Sequence, residues 1–153
     1  MFHLKEGDKA PDFSANDQHG NTLSLSGLKG KKVILFFYPK DDSPTCTKEA
    51  CNFRDNYESL AKQGFTVIGV SADTEKSHAK FANKFSLPYH LLTDVDKKIV
   101  NDYGVFGDKL FMGKIIQSIH RITFVINEQG IIERIIDKVE SARATEQLLE
   151  ALA

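Results

Sequence analysis

The sequence predicts an α/β fold built on a mixed sheet with helices on both faces. Three observations predict it. Val33-Ile34-Leu35-Phe36-Phe37-Tyr38 and Phe65-Thr66-Val67-Ile68-Gly69-Val70 are continuous runs of the β-branched and aromatic kind that fill strands buried on both sides. Between them, apolar residues recur at three- and four-residue intervals, the period of a helix, so the three segments form a β-α-β unit whose strands run parallel. A later segment, Ile115 to Asn127, containing the β-rich run Ile119 to Ile126, is followed by the turn Glu128-Gln129-Gly130 and a returning segment, Ile131 to Lys138, which adds an antiparallel pair.

The elements follow in order. The first 25 residues read as a β-hairpin, because Gly20-Asn21 separates a stretch ending near Asp17 from the alternating Thr22-Leu23-Ser24-Leu25. Lys29-Gly30-Lys31-Lys32 is a solvated turn before the first central strand, which Pro39 ends. A helix runs from Pro44 to about Lys62, with Ala50, Phe53, Tyr57, Leu60 and Ala61 on its apolar side and Gly64 as C-cap. Ser43 stands at its N-cap and Pro44 at its first position, where a missing N–H costs nothing. After the second strand, a helix from about Glu75 to Phe85 begins behind Asp73 or Thr74 and ends before Leu87-Pro88. A short strand near Tyr89 to Leu92 and a short helix, Asp94 to Tyr103, come next. Gly104 to Lys114 holds three glycines and reads as an irregular loop, and Ser141 caps a last helix reaching about Leu152.

Composition narrows the function. A chain of 153 residues without linkers or repeats is read as one domain, 1–153. Twenty Lys and Arg against twenty-one Asp and Glu leave a charge of -1, which gives no field to hold nucleic acid or an anionic membrane. No apolar stretch approaches the roughly 20 residues of a membrane helix. The opening Met1-Phe2-His3-Leu4-Lys5 has no secretory pattern, so the expected compartment is the cytoplasm. Two cysteines do not make a disulfide scaffold or a zinc site, and the five histidines are not spaced to gather a metal. Glycine-rich nucleotide motifs are absent, so neither a metal nor an organic cofactor is expected.

In open α/β sheets ligands gather beyond the carboxyl ends of the strands, which directs attention to Pro39-Lys40-Asp41-Asp42-Ser43-Pro44-Thr45-Cys46. Cys46 falls in the first turn of the following helix, where free N–H groups and the helix dipole favour a thiolate; a buried structural cysteine is the alternative. Cys51 lies five residues on. An ideal helix separates their Cα atoms by roughly 8–9 Å. Bridging needs less than about 7 Å, so a disulfide requires the first turns to unwind. That spacing fits an attacking and a resolving thiol and differs from Cys-x-x-Cys; a small core residue is the bland alternative for Cys51. Arg121, inside an otherwise apolar run, needs an anion, either a thiolate or a surface carboxylate at a sheet edge. His120 points to the opposite face. Asp41 and Asp42 read as solvated turn residues, while Glu49, one turn beyond Cys46, is a candidate to orient Arg121 or a base.

These residues resemble a family. Pro39-x-x-x-Ser43-x-x-Cys46 is similar to the peroxiredoxin motif Pro-x-x-x-Thr/Ser-x-x-Cys, and Tyr38 to Cys51 resembles the bacterioferritin comigratory protein or peroxiredoxin Q subfamily. The resemblance extends to Gly7-Asp8-Lys9-Ala10-Pro11-Asp12-Phe13, to Gly69-Val70-Ser71 and to Arg121-Ile122-Thr123-Phe124-Val125-Ile126. It implies a thioredoxin-like fold and thiol-dependent reduction of hydrogen peroxide and organic hydroperoxides. Cys46 would be the peroxidatic cysteine, Cys51 the resolving cysteine forming an intramolecular disulfide, and Arg121 the active-site arginine. Pro39 would shield the site and Ser43 would supply its hydroxyl. Thioredoxin or glutaredoxin would be the reductant, and an intramolecular pair suits a monomer. A redox sensor and a protein disulfide oxidoreductase are the other readings of the same pair. Two positions depart from the family: Ser43 stands where many members have Thr, and Thr45 where subfamily members often have Gly, which bears on the backbone before Cys46.

Overall fold

The apolar run that opens at Val33 lies in a strand, Lys32–Phe37, at the centre of a five-stranded sheet. The computed structural model describes residues 3–153, so Met1-Phe2, where the reading of the N-terminus began, lies outside the described residues. The strands are β1 (Ser14–Asn16), β2 (Thr22–Ser24), β3 (Lys32–Phe37), β4 (Phe65–Ser71), β5 (His90–Thr93), β6 (Phe106–Phe111), β7 (Lys114–Ile119), β8 (Ile122–Ile126) and β9 (Ile132–Ile136). The helices are α1 (Pro44–Asp55), α2 (Tyr57–Lys62), α3 (Glu75–Phe85), α4 (Lys98–Asp102) and α5 (Ala144–Leu152).

The main sheet has the order β5-β4-β3-β8-β9. β3, β4 and β5 are parallel, while β8 is antiparallel to β3 and β9 to β8, giving the expected mixed sheet. Alternate residues of β3 serve two cores, as the two-residue period of a strand requires. Val33, Leu35 and Phe37 join Phe13, Leu28, Ile99, Val100 and Tyr103 on the side of α4 and the N-terminal hairpin. Ile34 and Phe36 join Cys46, Phe53, Leu60, Phe81 and Leu148 on the side of α1, α2, α3 and α5. The layers meet closely at Gly69, where a Cβ would lie 2.8 Å from the Phe36 ring and 2.9 Å from Leu91.

Several elements differ from their sequence readings. The helix predicted over 44–62 breaks at Asn56, whose side chain donates to the Asn52 carbonyl at 2.8 Å and so competes with the helical ladder. The short helix predicted from Asp94 is confined to Lys98–Asp102, because the Asp94 carboxylate accepts from the N–H groups of Ile99 and Val100 at 3.0 and 2.9 Å. The predicted loop from Gly104 to Lys114 is mostly β6 and the start of β7, a hairpin. Met112 and Gly113, with φ of 50° and 78°, supply the left-handed pair that a two-residue hairpin turn demands. Leu110, Phe111, Met112, Ile115 and Ile116 are exposed on this hairpin. The segment predicted over Ile115 to Asn127 is interrupted: β7 ends at Ile119, the His120 N–H turns to Val105 O at 2.7 Å, and β8 starts at Ile122. Finally, Ser141 opens a short 3-10 turn instead of capping α5. The cap comes from another helix, where Asn52 Oδ1 accepts from the Thr145 N–H at 2.8 Å.

Candidate active site

β3 delivers the chain to Pro39, and the loop that follows is pinned before it becomes α1. Asp41, read as a solvated turn residue, is buried. Its carboxylate accepts from Tyr38 OH at 2.6 Å and Ser77 Oγ at 2.8 Å and faces His78 Nδ1 at 2.7 Å, while its N–H donates to Asp73 Oδ2 at 2.8 Å. His78 Nε2 faces Leu92 O at 2.8 Å, and since a carbonyl only accepts, that nitrogen carries a hydrogen. Asp42, the next residue, adopts φ 60° and pairs with Lys84 at 2.8 Å, on the surface as expected. Nothing in spacing ties a turn aspartate to a histidine 37 residues away, so the Asp41–His78 pair emerges only in the fold. Asp41, Asp73 and His78 also bring three potential metal-ligating atoms within 4.8 Å, all engaged in the hydrogen bonds just described.

Beyond this anchor, Ser43 occupies the N-cap position of α1 with extended backbone, but its hydroxyl donates to Lys40 O at 3.1 Å and does not cap the helix. Pro39 is half-buried. Thr45 is an exposed helical residue, so its position makes no use of glycine's freedom. Cys46 is the third residue of α1, inside the turn whose N–H groups lack intrahelical acceptors, and it is 1% exposed. Its Sγ accepts a hydrogen bond from Arg121 Nη2 at 3.2 Å. The second prong of the same guanidinium, Nη1, donates to Glu49 Oε1 at 2.9 Å.

Arg121 thus stands at the junction between β7 and β8, outside the strand in which the sequence placed it, and its anions are a thiol sulfur and a buried carboxylate. Burial works against its charge, but Glu49 and Cys46 outweigh that and raise its pKa further. It also lines an open groove with Lys109, His120 and Lys138. Glu49 is fully buried, and burial pushes its carboxyl up to about 7, with Arg121 pulling the other way. Cys51 makes no contact with Cys46: both are free thiols, five residues apart in an unbroken helix. Burial pushes the Cys51 thiol up, opposed by Arg54. Of the predicted residues, the structure therefore brings Cys46, Arg121 and Glu49 together, keeps Pro39 and Ser43 in the loop that precedes α1, and holds Cys51 apart. His120 is half-buried, with Nε2 facing Asp108 O at 3.0 Å.

Residues 6–135 match the AhpC/TSA family. The chain belongs to that family, as a peroxiredoxin. This peroxiredoxin is an enzyme, a thiol peroxidase. It is 49% identical over 137 residues to a putative peroxiredoxin Bcp of Coxiella burnetii, covering 90% of this chain and 91% of the relative. It is 41% identical over 152 residues to peroxiredoxin Bcp of Escherichia coli, covering 99% and 97%. Among solved structures it is similar to the Xanthomonas campestris bacterioferritin comigratory protein, studied as trapped intermediate and ligand complexes for its alkyl peroxide reduction activity. The TM-score is 0.87 at 28% identity, over 99% of this chain and 97% of that one. The fold is the thioredoxin-like peroxiredoxin fold that the sequence resemblance implied. No helix among the described residues is long and apolar enough to cross a membrane.

Proposed function

We propose that this peroxiredoxin reduces hydrogen peroxide and organic hydroperoxides at Cys46, with Cys51 as the resolving thiol. The observation that carries the proposal is the Arg121 Nη2 hydrogen bond to Cys46 Sγ in the first turn of α1. A cation beside the sulfur and unpaired N–H groups at a helix start put positive charge where the attacking sulfur and the departing oxygen carry negative charge. The organic part of the substrate class rests on the alkyl peroxide activity of the Xanthomonas relative.

The Cys46 thiolate attacks one peroxide oxygen, the O–O bond breaks, and the departing hydroxide or alkoxide takes a proton while Cys46 becomes a sulfenic acid. Arg121 and the N–H groups near Cys46 stabilise the charge that develops on the leaving oxygen. Ser43 contributes its hydroxyl to the bound peroxide by turning from Lys40 O, and Pro39 screens the loop side of the sulfur. The first turns of α1 then unwind, the Cys51 thiol displaces water from the sulfenic acid, and a disulfide forms. A dithiol protein of the thioredoxin or glutaredoxin kind returns both thiols. Both cysteines belong to one helix, so the cycle needs no second subunit, and we read the chain as a monomer.

The experiment is the mass and free-thiol count of the reduced protein after one equivalent of hydrogen peroxide, with Cys51→Ser alongside. Loss of two hydrogens and of both thiols, with a trappable sulfenic acid in the variant, is expected. Thiols unchanged after minutes would overturn the peroxide chemistry at Cys46. Unaltered thioredoxin-coupled turnover in Cys51→Ser would overturn the resolving role alone and leave the first step standing.

A further inference from the structure

We infer that the β6–β7 hairpin is a docking arm for an anionic phospholipid surface, its apolar tip inserted between the headgroups. The foot of the arm belongs to the fold: Ile119 is buried in the core on the α4 side, and Phe106 packs against that core. Beyond the foot the two strands pair only with each other, and every residue of 108–111 and 114–117 is exposed. Five of the six large apolar side chains exposed among the described residues stand on this tip: Leu110, Phe111, Met112, Ile115 and Ile116. Met112 is 86% exposed, Leu110 70% and Ile115 69%. Together the five present about 600 Å² of mainly apolar surface, the top of the range of about 300–600 Å² for the largest patch on a typical monomer. A two-stranded ribbon has no second layer on which to bury them.

Their arrangement decides what covers them. Lys109 pairs across the hairpin with Ile116, Leu110 with Ile115 and Phe111 with Lys114. Alternation along a strand therefore puts Leu110 and Ile115 on one face, Phe111 and Ile116 on the other, and Met112 at the turn above both. A protein partner or a second copy laid against one face leaves the other in water, whereas lipid closes around both faces and the turn. The height agrees as well. From Lys109 to Met112, at about 3.4 Å per residue, the tip stands about 10 Å tall, and an element lying in the membrane interface is buried by about 5–10 Å. Below it comes a polar collar, Asp108 hydrogen-bonded to Gln117 and then the half-buried Ser118 and His120. The outer edges of the two strands have no strand partner, and hydrocarbon offers their N–H and C=O groups none, which stops the arm at the boundary between headgroups and acyl chains.

The charge on the tip has the sign that such a surface attracts. Lys109 and Lys114 share the face of Phe111 and Ile116, where their stems cover apolar surface and their ammonium groups reach headgroup phosphates. A net charge of -1 gives the whole chain no long-range pull toward an anionic membrane, so the apolar tip carries the association. The lysines act at short range, each strengthening it about 5-fold beside an anionic surface. Lys109 also lines the groove that holds Arg121, Asp137 and Lys138, so docking brings that groove to the headgroup side.

The test is flotation of the full chain with vesicles of phosphatidylcholine and phosphatidylglycerol, beside the variant Leu110→Thr/Met112→Asn/Ile115→Thr. Thr keeps strand propensity, and Asn before Gly113 suits the left-handed position that Met112 occupies at φ 50°, so the hairpin stays while its tip loses apolar surface. Wild type is expected to float with the vesicles and the triple variant to partition less by about 10-fold or more. Lys109→Gln/Lys114→Gln should partition about 10-fold less on these vesicles and equally with wild type on phosphatidylcholine alone. Equal flotation of wild type and triple variant would overturn the inference. So would wild type that stays off the vesicles at millimolar lipid, and a dimer lost in the triple variant would then assign the arm to a second copy. Because the chain has no tryptophan, Phe111→Trp supplies a single reporter, whose emission must shift to the blue with vesicles and be quenched by lipids brominated on their acyl chains. Emission unmoved by vesicles would overturn the inference even where the triple variant fails to fold. None of these measurements involves peroxide, so their outcome is separate from the reading of Cys46.

Discussion

Asn52 sits next to Cys51 and ties α1 to the start of α5, so replacing it with alanine tests how the helix opens. Its Oδ1 accepts from the Thr145 N–H at 2.8 Å, and its Nδ2 donates to Ala142 O at 3.1 Å and Glu146 Oε1 at 3.0 Å. Losing the first bond removes a cap from a helix with no side-chain cap of its own, at about 1 kcal/mol. The two Nδ2 bonds are exposed and together add about 1 kcal/mol, for a total near 2 kcal/mol. If the segment carrying Cys51 leaves α5 before the disulfide closes, the same energy favours the open state by about 30-fold. Urea unfolding of Asn52→Ala should show the stability loss. Stopped-flow measurement of disulfide formation after a peroxide pulse should show acceleration of about 10- to 30-fold where opening limits the step. A protein destabilised as expected but closing its disulfide at the wild-type rate would refute the reasoning and confine the unwinding to residues before Asn52.

Two further outcomes follow from packing and charge. Gly69→Ala puts a methyl 2.8 Å from Phe36 and 2.9 Å from Leu91, both in the sheet interior. Thermal unfolding should register a loss of about 1–3 kcal/mol, and an unchanged Tm would mean the strands separate without strain. Asp17 is buried, which pushes its carboxyl up, but the His90 ring and the N–H groups of His19 and Asn21 outweigh burial and hold it below the usual value of 3.8. A lowered native pKa stabilises the fold above the unfolded value and loses that stabilisation as pH falls through the native one. His90→Ala should therefore be less stable than wild type near pH 5 by a margin that closes as the pH falls below 3.8, and a margin independent of pH would count against the Asp17 contribution.

What could be read from the sequence was whatever a short window decides. β3 and β4 were visible because runs of β-branched and aromatic residues have few other uses, and the start of α1 was visible because Ser43-Pro44 is a local signal. The need of an isolated guanidinium for an anion left Arg121 open to either a thiolate or a surface carboxylate, and the structure supplies the Cys46 sulfur and the buried carboxylate of Glu49. The β6–β7 hairpin was missed because three glycines suggested a loop, whereas only Gly113 lies in the turn and Met112 takes the other left-handed position without any favouring side chain. Asp41 was misjudged for a different reason. Its burial depends on Tyr38, just past the end of β3, meeting Ser77 and His78 of α3, and no window of sequence contains that meeting.

The pinning of that aspartate bears on how the oxidation state is displayed. Upstream of Ser43 the chain is fastened to α3 at Asp41 and Asp42, while downstream α1 is fastened to α5 at Asn52. In the proposed cycle the slack for joining the two sulfurs comes from α1, either between these fastenings or with release of the one at Asn52, while the fastening at Asp41 holds the loop to α3. Oxidation would then be displayed on α1 and the edge of α5 beside it, and a reductant protein that distinguishes spent enzyme from ready enzyme would have to read that surface.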